Sequence, residues 1–87
     1  MKEKIKKKIL EGMGEMDFEH RHPTLASWLE TVLQEEIESG IIIVRQREDD
    51  KGKALVINHQ QQWAIELECT VSFQYEDYFK SDKELIH

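Results

Sequence analysis

The stretch that decides the fold lies at residues 63–75, which read W-A-I-E-L-E-C-T-V-S-F-Q-Y. Every odd position in it is apolar or amphipathic, and every even position from Glu66 onward is polar. Successive side chains of a β-strand point to opposite faces, so this alternation predicts a strand with one face on the core and the other in water. A helix would scatter the same residues around its axis. One buried face and one solvated face are typical of an antiparallel sheet.

Two segments with helical periodicity precede this strand. Near the N-terminus, Ile5 and Ile9 lie four residues apart among good helix formers, which predicts a short helix that packs weakly. The main helix is predicted at about 23–39, because Pro23 suits a first helical turn and Gly40 suits the left-handed position after the last turn. Its apolar residues recur at helical spacing and form one continuous face: Leu25, Trp28, Leu29, Val32, Leu33 and Ile37.

Two further strands are predicted between the main helix and residues 63–75. A β-branched run occupies 41–47, and a shorter apolar run occupies 54–59. The acidic residues and the glycine at 48–53 are typical of a hairpin turn. The sequence therefore predicts an α+β fold, in which the main helix and the short N-terminal helix pack on a three-stranded antiparallel meander with strands at about 41–47, 54–59 and 63–75.

Length and composition set the outer limits of the molecule. Eighty-seven residues suit one small α+β domain, 1–87, in which we expect the segments 1–15 and 80–87 to be flexible. After residue 75 the alternation stops, so we expect a helical turn at 76–80 and a tail at 81–87. No apolar run approaches the roughly 18 residues of a membrane span, and no secretory signal is recognisable. The chain has one cysteine, which fits a reducing compartment, so a cytoplasmic location is the expectation.

Charge is unevenly distributed along the chain. The net charge is −6, but the first ten residues carry five lysines and one glutamate, a net +4, which leaves −10 on the other 77 residues. No Lys or Arg lies within the main helix, whereas four glutamates do: Glu30, Glu35, Glu36 and Glu38. We expect the basic N-terminal helix to be the intramolecular partner of this acidic helix.

Residues that could carry catalysis are few. Cys69 lies in the middle of the predicted strand on its inward face, where a thiol is inert. Glu66 and Glu68 share the outward face, about 7 Å apart. Two solvated carboxylates lack the separated pKa values that acid–base catalysis requires. No glycine-rich phosphate-binding loop is present, so we expect no enzyme and no cofactor.

The only spacing typical of a metal site is His20-x-His22. Two imidazoles at alternate positions of a strand can hold one ion, but no second pair of ligands accompanies them. We therefore expect two exposed histidines and no metal, with His20 and His22 as weak candidates.

The leading hypothesis is a small acidic protein-binding or regulatory module. The acidic helix face and the polar outer face of the sheet would form its interaction surface, which consists of Glu30, Glu35, Glu36, Glu38, Glu66 and Glu68. The partner would be another protein, or a second copy of the chain that pairs with the exposed edge of strand 63–75 to give a homodimer.

The alternative hypothesis is a winged-helix-like nucleic-acid-binding protein. Its wing would be the hairpin at 45–53, which carries Arg45, Arg47, Lys51 and Lys53. The helix that would enter the groove holds four glutamates and would repel phosphates, which argues against nucleic acid as the partner.

Overall fold

A computed structural model describes residues 1–13, 24–47, 50–68 and 79–84. Within them the chain forms helices and strands in this order: α1 (Lys2–Met13), α2 (Leu25–Val32), α3 (Gln34–Glu38), β1 (Ile42–Arg47), β2 (Asp50–Asn58), β3 (Trp63–Glu68) and β4 (Phe79–Glu84). The strands form one antiparallel sheet, so the predicted α+β class is confirmed.

The predicted main helix is present, but it is divided into α2 and α3. The break lies at Leu33, whose φ of −106° and ψ of 26° leave the helical region. The helix begins at Leu25 with Thr24 as its cap, whereas Pro23, predicted in the first turn, lies outside the described residues. Thr24 Oγ1 accepts a hydrogen bond from the Ser27 N–H at 2.9 Å, which satisfies one of the free donors of the first turn.

The helix ends where Gly40 predicted it would. Gly40 has a φ of 78°, a left-handed conformation that costs glycine little. The Ile41 N–H donates to the Glu36 carbonyl at 2.9 Å, and the Gly40 N–H donates to the Ile37 carbonyl at 3.1 Å. This pair of bonds is a Schellman motif, and it turns the chain directly into β1.

The sheet has the order β1-β2-β3-β4, so β1 and β4 are its edges. The register aligns Val44 with Val56, and Val56 with Ile65, on the face that the helices cover. The opposite face is not wholly polar, because Ile43 lies there with 37% of its surface exposed. The core lies between helices and sheet and includes Leu25, Trp28, Leu29, Leu33, Ile42, Val56, Ile65 and Leu67.

Helix α1 belongs to this core. Ile5 and Ile9, the thin apolar stripe seen in the sequence, are fully buried. The helix contacts α2 at Gly12, where a Cβ atom would lie 3.0 Å from Val32 Cγ2. A residue without a side chain therefore sets how closely the two helices pack.

One predicted strand boundary and the predicted C-terminal turn and tail are corrected, and one predicted strand is only partly described. β2 begins at Asp50, so residues 50–53 continue the strand instead of forming the turn. β3 ends at Glu68 as far as the described residues show, and the remainder of the predicted strand, 69–75, lies outside them. The helical turn predicted at 76–80 and the tail predicted at 81–87 are wrong for Phe79–Glu84, which form β4 and bond to β3 along its length. The expected flexibility of 1–15 and 80–87 stays a prediction.

Candidate functional site

The glutamates predicted to form an interaction surface have different environments. Glu30, Glu35 and Glu38 are exposed on α2 and α3. Glu36 is only 7% exposed, unlike the other three, and the role of these glutamates in an interaction surface stays a prediction.

Glu36 is held by the N-terminal helix. Lys8 Nζ donates to both of its carboxylate oxygens, at 2.9 and 2.8 Å. Burial alone would raise the pKa of Glu36, but the hydrogen bonds from Lys8, a backbone hydrogen bond and the nearby positive charge outweigh it, so the pKa lies below its usual value. The same hydrogen bonds raise the pKa of Lys8. Lys8 also lies 3.5 Å from Glu35, so the predicted pairing of basic helix and acidic helix is confirmed at this point.

Two other lysines of α1 bond to β4 instead of the acidic helix. Lys6 Nζ lies 2.9 Å from Asp82 Oδ2, and Lys2 Nζ lies 2.7 Å from Glu84 Oε1 and 3.1 Å from Asp82 Oδ1. The hydrogen bond from Lys6, reinforced by Lys2, holds the pKa of Asp82 below its usual value despite partial desolvation. The lysines of α1 therefore join this helix to two different acidic elements, α3 and β4.

Glu66 and Glu68 lie on the outer face of β3, as the alternation predicted, and both are partly buried. Glu66 Oε1 accepts a hydrogen bond from Ser81 Oγ at 3.2 Å, and Glu68 is the cross-strand partner of Lys53. Their environment is an open sheet face flanked by neighbouring strands.

The edge predicted for a homodimer is not an edge. β3 pairs with β2 on one side and with β4 on the other, so its described residues have no unpaired side that could accept a second copy. For 63–68 the prediction was wrong because β4 was not recognised, and 69–75 lies outside the described residues. The six residues of β4, F-K-S-D-K-E, contain one apolar side chain, and hydrophobic alternation gives no signal for such a strand.

Among the residues that the structure describes, the available edge is β1. The His59 N–H donates to the Ile41 carbonyl at 2.8 Å, which fixes the phase of the ladder between β1 and β2. Bonded and non-bonded pairs alternate along an antiparallel ladder, so Ile43 and Arg45 bond to β2. Val44 and Gln46 therefore direct their N–H and C=O groups away from the sheet.

A groove of about 560 Å³ runs beside this edge, between β1 and the helices. Its apolar lining comes from Ile37, Ile43 and Val44, and its acidic lining comes from Glu30 and Glu38. The remaining lining residues are neutral and polar: Ser27, Thr31 and Gln34. We call this groove, together with the outward N–H and C=O groups of β1, the β1 site.

The opposite edge of the sheet, β4, differs from β1 because it carries charged side chains that form ion pairs. Two of the side chains of β4, Asp82 and Glu84, are engaged by lysines of α1. Charged side chains on an edge strand are a common means of preventing further strand pairing. β4 is therefore a blocked edge, whereas the half of β1 at Ile42–Val44 is apolar and borders a groove.

Several predicted features lie outside the described residues, namely His20, His22 and Cys69. Among the residues that are described, no group of three or more His, Cys, Asp or Glu side chains could hold a metal ion, and no helix is long and apolar enough to cross a membrane. Comparison of the chain with known protein families, with curated proteins and with solved structures found no match.

Proposed function

We propose that the protein is a small, acidic, non-enzymatic protein-binding module that takes up an extended segment of a partner protein as a fifth strand beside β1. The observation that carries the proposal is the β1 site, where Val44 and Gln46 direct their backbone groups away from the described strands, next to a partly apolar groove. Strand addition at an edge derives its affinity from such backbone groups and its selectivity from pockets for alternate side chains. The single cysteine fits a reducing compartment, and we propose a cytoplasmic location.

The test removes one backbone donor of β1. Gln46→Pro deletes an N–H that points away from β2, so it leaves the ladder with β2 intact and fits an edge strand. Gln46→Ala is the matched control, because it removes the same exposed side chain and keeps the N–H. Twelve-residue peptides selected by phage display against the wild type are titrated into both variants and into the isotope-labelled wild type.

We expect the selected peptides to shift the amide resonances of β1 and to bind Gln46→Pro about tenfold more weakly than Gln46→Ala. Equal affinity for the two variants, or shifts confined to β4 or to the outer face of the sheet, would overturn the proposal.

A second copy of the chain is a different occupant for the same edge. Pairing of β1 with β1 of a second molecule would give a twofold dimer. Sedimentation velocity distinguishes the two occupants. If the wild type is a dimer that Gln46→Pro dissociates and Gln46→Ala preserves, the occupant of the edge is a second copy and not a partner protein. A wild-type protein that sediments as a monomer would support a partner protein as the occupant.

The nucleic-acid alternative rests on the hairpin of β1 and β2. By register, Arg45 and Lys53 lie on the outer face of the sheet, and the exposed Lys51 belongs to the same hairpin. Fluorescence anisotropy with duplex DNA and RNA at about 50 mM salt tests this alternative. Salt-sensitive binding that the Arg45→Ala/Lys51→Ala variant loses would favour it over the protein-binding module.

A further inference from the structure

The chemistry of the β1 site also indicates what kind of segment it takes, an inference that rests on the proposed strand addition. We infer that the partner segment is cationic and apolar: the side chains that face the groove combine an apolar residue with flanking Lys or Arg.

The apolar requirement follows from the floor of the groove. Val44 and Ile37 are partly buried and pack against the core, while Ile43 is 37% exposed. An extended segment beside β1 sends every second side chain toward α2 and α3, at a spacing of about 7 Å. An apolar side chain placed there would cover Val44 and Ile37 and remove their remaining surface from water; Ile43 points to the opposite face of the sheet and is not covered by it.

The cationic requirement follows from the rim. Glu30 and Glu38 are both exposed and both line the groove, at opposite ends of the helical segment that borders it. The Glu38 carboxylate accepts one hydrogen bond, from Gln34 Nε2 at 3.0 Å. Every other lining residue in the described part of the chain is neutral, so two negative charges border a partly apolar groove, and a cation at either side of an apolar anchor complements them.

The other two glutamates of these helices contribute less negative charge to the groove. Glu36 is buried against Lys8, and Glu35 lies 3.5 Å from the same ammonium group. Lys8 therefore offsets the charge of the α3 glutamates that face α1, whereas Glu30 and Glu38 face the groove. The ion pairs thus leave an acidic surface on the side of the helices that borders β1.

Synthetic heptapeptides test the inference directly. Each is capped at both ends and has threonine at its odd positions and valine at position 4. Positions 2 and 6 are lysine in the first peptide, glutamate in the second and glutamine in the third. Binding to the full chain is followed by amide shifts in β1 at about 50 mM salt and again at about 500 mM salt.

The variants separate the local charge of the groove from the net charge of the molecule. Glu30→Lys/Glu38→Lys reverses the charge of the rim. Glu3→Lys/Glu11→Lys is the matched control, because it changes the net charge by the same amount at exposed positions of α1.

We expect the lysine peptide to bind wild type about tenfold more tightly than the glutamate peptide, with the glutamine peptide between them and the difference reduced at high salt. Glu30→Lys/Glu38→Lys should reverse the preference, and Glu3→Lys/Glu11→Lys should retain it. Shifts in β1 of equal size with all three peptides would overturn the cationic inference and leave strand addition standing. The absence of any shift in β1 at about 1 mM peptide would overturn both.

Discussion

Lys8 and Glu36 decide which part of the acidic helix remains exposed. The four glutamates of the main helix look alike in the sequence, and helical periodicity places them away from the apolar face. Which of them becomes buried depends on where α1 comes to lie, and α1 is distant along the chain. The sequence therefore predicted that a lysine helix would pair with this face, but it could not indicate that Glu36 would be enclosed while Glu30 and Glu38 stay exposed.

Removing the ammonium group tests the contribution of this ion pair to stability. Lys8→Met keeps the apolar stem and leaves the carboxylate of Glu36, a residue that is 7% exposed, without its main partner. We expect the free energy of unfolding to fall by about 1–2 kcal/mol, a discounted value because Lys8 itself is about one-third exposed. Urea denaturation measures the change.

The control for that change is Lys7→Met, at an exposed position of the same helix. We expect it to alter the free energy of unfolding by less than about 0.5 kcal/mol. Adding Glu36→Gln to Lys8→Met should recover part of the loss, because the uncompensated charge is gone. Equal effects of Lys8→Met and Lys7→Met would show that the ion pair does not stabilise the fold.

The stabilisation should also depend on pH in one direction. The pKa of Glu36 lies below its usual value in the folded protein, so the carboxylate contributes stability above its unfolded pKa and loses it as pH falls through the folded pKa. The difference in unfolding free energy between wild type and Lys8→Met should therefore be full at pH 7 and decrease below about pH 4. A difference that stays constant between pH 7 and pH 2 would contradict the assignment.

At the scale of the elements, the contact between α1 and α2 depends on Gly12. Glycine inside a helix costs about 1 kcal/mol relative to alanine, so its presence in α1 requires a compensating reason. The reason is steric, because a Cβ would lie 3.0 Å from Val32 Cγ2 and 3.2 Å from Val32 Cγ1.

A double-mutant cycle separates helix propensity from packing at this contact. We expect Gly12→Ala alone to lower the free energy of unfolding by about 1 kcal/mol, because overpacking exceeds the gain in propensity. In a Val32→Ala background the methyl groups of Val32 no longer crowd this position. Gly12→Ala should then raise the free energy of unfolding by about 0.5–1 kcal/mol. Thermal and urea denaturation of the four proteins give the coupling. The same effect of Gly12→Ala in both backgrounds would exclude a steric role for glycine.

The elements that could be predicted are those with a local signal. Apolar periodicity located both helices and the first three strands, and Gly40 marked the end of the main helix. Leu33 does not differ from its neighbours in hydrophobicity, so the break between α2 and α3 had no signal. β4 was not predicted because its charged residues Asp82 and Glu84 form ion pairs with lysines of α1, which lies about 80 positions away in the sequence. Such a strand is defined by its partners and not by its own pattern.

At the scale of the whole molecule, the order of the strands decides where a partner could bind. Without β4, the third strand was expected to be the open edge. With β4 in place, β3 becomes interior, β4 is engaged by α1, and β1 is left as the edge beside a groove. β1 is an edge with or without β4, so this non-local element decides only that β3 is not the site, whereas the acidic and apolar components of the β1 site, Glu30, Glu38 and the β-branched run of β1, were visible in the sequence.

Amide hydrogen exchange of the free protein tests the openness of β1 most directly, because it requires no partner. We predict alternating protection along the strand: the amides of Ile43 and Arg45, which bond to β2, should exchange at least about tenfold more slowly than those of Val44 and Gln46. Equal, strong protection at all four amides would mean that the β1 edge is already covered, and it would contradict the proposed binding site.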